Sequence, residues 1–218
     1  MTDYDNAQGP VVMQPEPSRQ DGSKTSKHEG LGSLASTIAV LLIAPLVALF
    51  LTSFVFQSYQ VDGPSMQTTL FNNDRLLVWK LPKTWSRITG HQYVPNRGDV
   101  VIFVERGLAD LNQPGGKQLI KRVIGLPGER VVVKDNQVTV YNKAHPDGFM
   151  PDKTLPYGKV IKETANNVDT VVPEGQIFVM GDNRPDSLDS RSFGPVDLHD
   201  VVGKLLMRVW PVNQAKTF

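Results

Sequence analysis

The stretch Leu119-Ile120-Lys121-Arg122-Val123-Ile124, closed by Leu126-Pro127-Gly128 and followed by Val131-Val132-Val133 and Val138-Thr139-Val140-Tyr141, decides the fold class. Short apolar runs bounded by Gly and Pro read as strands. Asp135-Asn136, between the last two runs, predicts a hairpin turn. The same pattern continues outward. Val100 to Val104 is a buried-strand run after Arg97-Gly98-Asp99, Ile177 to Met180 follows Pro173-Glu174-Gly175, and Val201 to Trp210 completes the set. No long stretch of this region has a period of 3.6. The expectation is an all-β domain of short strands over residues 58–218. Residues 142–170 carry Pro, Asp, Lys and Gly with little apolar pattern and read as a small insertion.

The N-terminal part is different. Residues 1–30 are polar, without periodic apolar positions, and read as a disordered tail. No charged residue then occurs from Gly30 to Val61, and Leu34 to Phe56 is strongly apolar. A membrane span needs about 20 such residues. A cleavable signal peptide would be shorter and followed by a small-x-small site, which Phe56-Gln57-Ser58-Tyr59-Gln60 does not offer. A buried core helix would show a polar face. Residues 31–57 therefore read as one uncleaved transmembrane helix, with Pro45 tolerated inside it. Arg19, Lys24 and Lys27 precede the span, whereas the first basic residue after it is Arg75. The positive-inside rule then places the tail in the cytoplasm and the β-domain outside the plasma membrane.

Composition removes several functions. The 218 residues carry a formal net charge of +1, which argues against nucleic-acid binding. Cysteine is absent, so disulfides, thiolate catalysis and cysteine-bound zinc are excluded together. The four histidines have no metal-ligand spacing. Hydrophobic residues make up 40% of the chain, enough for an apolar core to hold the domain without crosslinks.

Strand alternation puts Lys121 on one face of its run and Arg122 on the other, both faces being otherwise apolar. Two readings are open for this segment alone. One is an edge strand protected by charge. The other is a desolvated amine, because burial disfavours the ammonium form. Half neutrality near pH 7 requires a fall of ~3 units, which costs about 4 kcal/mol. A neutral lysine can take a proton from a serine hydroxyl.

Two further segments complete the set: Gly63-Pro64-Ser65-Met66-Gln67-Thr68-Thr69-Leu70, and Gly181-Asp182-Asn183-Arg184-Pro185-Asp186-Ser187-Leu188-Asp189-Ser190-Arg191. With the Arg97-Gly98-Asp99-Val100-Val101 and Lys121 to Glu129 segments, and the anchor before them, the chain resembles the type I signal peptidases, or leader peptidases. The resemblance implies a coiled, barrel-like β-sheet peptidase domain and a Ser-Lys dyad. Ser65 matches the nucleophile and Lys121 the general base. Ser187 matches the serine that orients the lysine, and Asp189 with Arg191 a supporting charged pair. Asp182, Asn183 and Arg184 are expected to shape the adjoining turn, Met66 to pack the nucleophile's loop, and Arg122 to act structurally. No cofactor or metal is implied.

The implied partners are preprotein signal peptides, the lipid bilayer and the secretion channel, with cleavage after Ala-x-Ala. Two positions depart from the usual pattern. Thr68 stands where proline is usual, which loosens the turn. Gly63 stands where some members carry a serine that joins the oxyanion hole, so one side-chain donor is missing, a loss of a few kcal/mol unless replaced. Rival readings are a processing protease with one dedicated substrate, a soluble self-cleaving repressor, and a non-catalytic anchored domain that only binds peptides. The anchor and the lack of a DNA-binding helix pair disfavour the repressor.

Overall fold

The computed structural model describes residues 29–108, 115–161 and 163–218. Nearly all of the tail assigned to 1–30 lies outside the described residues. The chain divides into two compact units between Ala44 and Pro45. Helix α1 (Glu29–Phe50) contains Pro45 and continues into a single π-helical turn at Leu51–Val55. Ser36–Val55 is long and apolar enough to cross a membrane, the one such segment among the described residues. Ile38, Leu41, Leu42, Leu46 and Leu49 are all exposed. A helix apolar on every side has no polar face to turn toward water, which suits lipid.

The second unit opens with β1 (Phe56–Gln60), β2 (Arg75–Trp79) and the short helix α2 (Leu81–Thr89). Pro82 lies in the first turn of α2, and Gly90 ends it in a left-handed conformation (φ 73°). Lys80 and Thr84 hydrogen-bond to the carbonyls of Ser53, Val55 and Phe54, so α2 is tied to the π turn. Next come β3 (Val100–Glu105), β4 (Lys117–Gly125), β5 (Arg130–Lys134), β6 (Gln137–Asn142), β7 (His145–Phe149) and the turn-length α3 (Pro151–Thr154). The chain ends with β8 (Val168–Val171), β9 (Gln176–Met180), the short α4 (Ser190–Phe193), β10 (Val196–Asp197), β11 (Val201–Trp210) and β12 (Lys216–Thr217).

These strands form two antiparallel sheets. The larger runs β1-β2-β11-β3-β4-β9-β10, with β12 on β11, and the smaller runs β7-β6-β5-β8. The expected hairpin is β5–β6. Both Asp135 (φ 51°) and Asn136 (φ 59°) take positive φ, as the tight turn between Lys134 and Gln137 demands. The small sheet thus spans Arg130 to Val171, taking in the hairpin as well as much of 142–170.

Alternating side chains on β4 and β9 feed two cores. Val123, Ile177 and Val179 pack with Val101, Phe103 and Val201, whereas Ile124, Phe178 and Met180 pack with Val131, Val133, Val138 and Val140 of the small sheet. A third cluster joins Val61, Met66, Leu70, Leu76, Val100 and Leu205. The larger sheet coils on itself: residues 59–63, at and beyond the end of β1, line the same groove as residues 117–121 of β4, although three strands separate the two.

Candidate active site

Lys121 lies where β4 changes neighbours. Residues 117–122 pair with β3, with Val101 opposite Lys121, but pairing with β9 begins only at Arg122, opposite Met180. Arg122 has a strand on both sides and the residues after it are buried; before it, one edge is open among the described residues. The charged-edge and desolvated-amine readings therefore each describe part of this strand. Lys121 itself is 3% exposed.

Its Nζ lies 2.7 Å from Ser65 Oγ and 3.0 Å from the Ile120 carbonyl. Burial, the largest influence, drives its pKa from 10.5 down to about 8; Asp189 opposes this, the Lys117 charge adds to it, and Asp182 opposes it more weakly. That value stops short of the neutrality near pH 7 that the sequence argument required, yet at pH 8 half of the side chain is free amine. In that form Ser65 Oγ–H donates to the Nζ lone pair, and the contact becomes one between an acid and a base.

Ser65 stands in a tight turn. Gln67 N–H donates to Pro64 O, and the N–H groups of Thr69 and Leu70 donate to Met66 O. Met66 is 1% exposed and plugs this turn into the third core cluster. The turn stays closed with threonine at position 68. Gly63, two residues before Ser65, has φ +99° and open space where a Cβ would stand; its N–H donates to Asn72 Oδ1. A side chain there meets no clash but does meet a backbone that disfavours it.

The third segment closes the site from the far side. Asn183 donates its backbone N–H to Ser65 O (3.0 Å) and its Nδ2–H to Pro64 O (3.1 Å). A Cβ on Gly181 would lie 2.2 Å from Ser187 Oγ and 2.4 Å from Ser65 O, so only glycine fits. Asp189 accepts from the Gly181 N–H and from Arg191 N, Nε and Nη2, while Arg191 also caps the carbonyls of Arg184 and Ala165. Both side chains of this pair are almost fully buried. Asp182 accepts from Arg122 Nε and Nη2 and from Thr69 Oγ1. Arg122 also donates to Gly98 O and stacks 4.5 Å from the Tyr157 ring. Arg184 binds Asp152 and Thr164, joining the site to the small sheet's segment.

Ser187 differs from its expected geometry. Its Oγ is buried and makes no hydrogen bond among the described residues; the Lys121 amine is bonded to Ser65 and Ile120 instead. Sequence reasoning gave no role to Thr69 or to the glycine at 181. The signal for Gly181 is its place directly after a buried strand, where two segments must touch backbone to backbone.

Ser65 and Lys121 open onto a groove of about 820 Å³. Tyr59 to Gly63, at and beyond the end of β1, line it together with Gly116 to Ile120, just before and on β4, and Leu188 also lines it. A serine hydroxyl, a buried amine of lowered pKa and a groove between two strand edges can carry out acyl transfer on an extended peptide.

The profile of the family described as signal peptidase, peptidase S26, matches residues 34–210. Signal peptidase I of Bacillus licheniformis is 32% identical over 186 residues, covering 84% of this chain and 92% of the relative. Signal peptidase I of Bacillus caldolyticus is 35% identical over 179 residues, covering 79% and 89%. A crystal structure of a signal peptidase I from Enterococcus faecalis aligns at 30% identity with a TM-score of 0.40, covering 52% of this chain and 97% of that one. With the family's profile matched over residues 34–210 and both Bacillus relatives spanned almost end to end, the chain belongs to the signal peptidase family, peptidase S26.

Proposed function

We propose that this protein is a membrane-anchored serine endopeptidase that removes signal peptides from preproteins through a Ser65–Lys121 dyad. The observation that carries the reading is the 2.7 Å contact between Ser65 Oγ and a buried lysine whose pKa is lowered to about 8. Neutral Lys121 takes the Ser65 proton as Oγ attacks the carbonyl of the scissile bond. The Ser65 N–H stabilises the oxyanion. Lys121 then protonates the leaving amine, and the acyl-enzyme forms. The same lysine, neutral again, activates the water that releases the product.

The substrate lies extended in the groove, its main chain bonded to an open strand edge. Small side chains, of the Ala-x-Ala kind, occupy shallow pockets before the cut. Family resemblance, rather than a bond in this structure, assigns to Ser187 the steadying of the lysine during the reaction, and Asp189 with Arg191 holds the turn that bears Ser187. Residues 31–57 anchor the chain, residues 1–30 lie in the cytoplasm, and residues 58–218 form the catalytic domain on the outer side of the plasma membrane, facing preproteins that emerge from the secretion channel.

The test is incubation of the detergent-solubilised full chain with a preprotein, with the new N-terminus mapped by mass spectrometry. A single cut after a small-x-small triplet is expected, with kcat/KM rising through about pH 8. Ser65→Ala and Lys121→Ala should each abolish the cut, and together should be no worse, because the pair acts as a unit. Lys121→Arg should not rescue, since a guanidinium stays protonated. Near-normal turnover by that variant would eliminate the mechanism.

A further inference from the structure

Ser65 and Lys121 reach each other from segments 56 positions apart. Something other than their own contact must keep the nucleophile's turn in register with β4. The backbone bonds inside the turn close it but do not attach it to β4. Asn183 attaches its leading end, at Pro64 and Ser65. Its trailing end is attached by one side chain. Thr69 Oγ1 donates to Asp182 Oδ2 at 2.5 Å, and the same oxygen accepts from Arg122 Nη2 at 2.5 Å. Arg122 is the β4 residue next to Lys121.

We propose, resting on the dyad reading above, that Thr69 is a positioning residue of the reaction: through Asp182 it fixes the Ser65 turn to the strand that carries Lys121. The bonds make a closed circuit, Ser65–Thr69–Asp182–Arg122–Lys121–Ser65, in which every link is covalent chain or a hydrogen bond. Asp182 is 3% exposed, so water does not compete for its oxygens. Arg122 is held in turn by Gly98 O and the Tyr157 ring. The carboxylate therefore cannot follow a turn that drifts. Loss of the Thr69 hydroxyl leaves the turn closed and Asp182 paired with Arg122, but frees Ser65 Oγ to wander from Nζ.

Thr69→Val has the same shape without the hydroxyl, and Thr69→Ser restores the hydroxyl without the methyl. Both are made in the full-length chain in detergent and assayed on a preprotein alongside Ser65→Ala. A displacement on the order of 1 Å costs about 100-fold in rate. The valine variant should therefore lose about 10- to 100-fold in kcat, with KM within about twofold of the parent, because the groove walls are untouched. The serine variant should recover most of the loss. If the valine variant does not fold, Thr69→Ala is read on the same scale. A valine variant with parental kcat, or a loss that serine does not restore, overturns the proposal. Full activity in Ser65→Ala would instead overturn the dyad itself, whatever Thr69 does.

Discussion

Replacing Lys121 with Met takes a charge out of a site that is 3% exposed. In wild type, folding moves the amine from 10.5 to about 8. At 1.36 kcal/mol per unit of pKa, holding the ammonium in the fold costs about 3 kcal/mol. The sign follows from proton counting. Between about pH 8 and 10.5 the unfolded chain binds the proton that the folded chain has released, so stability rises with pH across that window; below it the full cost applies. Met fills nearly the same volume. It forfeits the bond to the Ile120 carbonyl, worth about 1 kcal/mol. Ser65 is only half-buried and finds water. At pH 7, Lys121→Met should therefore be about 2 kcal/mol more stable than wild type and catalytically inert. Urea unfolding of both full-length proteins in detergent, at pH 7, 8.5 and 10, measures this, with the gap closing as pH rises. A variant less stable than wild type at pH 7, or a gap independent of pH, would refute the claim that Lys121 is held against its preference for water.

Two further outcomes follow from the site's geometry and a third from the charges flanking the anchor. Gly181→Ala drives a methyl to within 2.2 Å of Ser187 Oγ and 2.4 Å of Ser65 O, so kcat on a preprotein should fall by ~100-fold or more; parental turnover would show that the segments do not meet as described. Ser187→Ala removes a buried hydroxyl with no partner among the described residues, so unfolding free energy should stay within about 1 kcal/mol of the parent while cleavage slows less than on loss of Ser65 or Lys121; unchanged cleavage would discard the orienting role. Protease added outside intact spheroplasts should digest residues 58–218 if the anchor runs from a cytoplasmic N-terminus outward, and full protection of that domain would reverse the orientation.

The strands were legible wherever one segment carried its own signal. The run Val100 to Val104 lies within β3, and the Asp135-Asn136 turn forces its hairpin through its own backbone. Lys121 and Arg122 face opposite ways, as alternation requires, and reach different partners, Ser65 and Asp182. What escaped notice was short or non-local. Helix α2 has only nine residues; Leu81, Trp85 and Ile88 recur at helical spacing and Pro82 and Gly90 bracket it, but the pattern is short and easily lost among strand runs. β1 reads Phe-Gln-Ser-Tyr-Gln, and β7 contains Pro146 and Gly148; neither has the composition of a strand, and each is made one by its neighbour. The bond from Thr69 to Asp182 spans 113 positions, and no local pattern in a single sequence encodes that distance.

The first half of β4, open on one side, and its buried second half form one continuous strand. A peptide bonded to residues 117–120 is therefore measured against the same ladder that fixes Lys121. Extended chains advance by about 3.3 Å per residue and turn alternate side chains to opposite sides. Sliding such a peptide by one residue would present the wrong set of side chains to the groove, and sliding it by two would restore the facing but carry a different bond to Ser65. On the proposed binding mode, the strand would act as a ruler with divisions two residues wide. The cut would then be set by counting along the substrate's backbone, and side chains that point away from the groove would be free to vary.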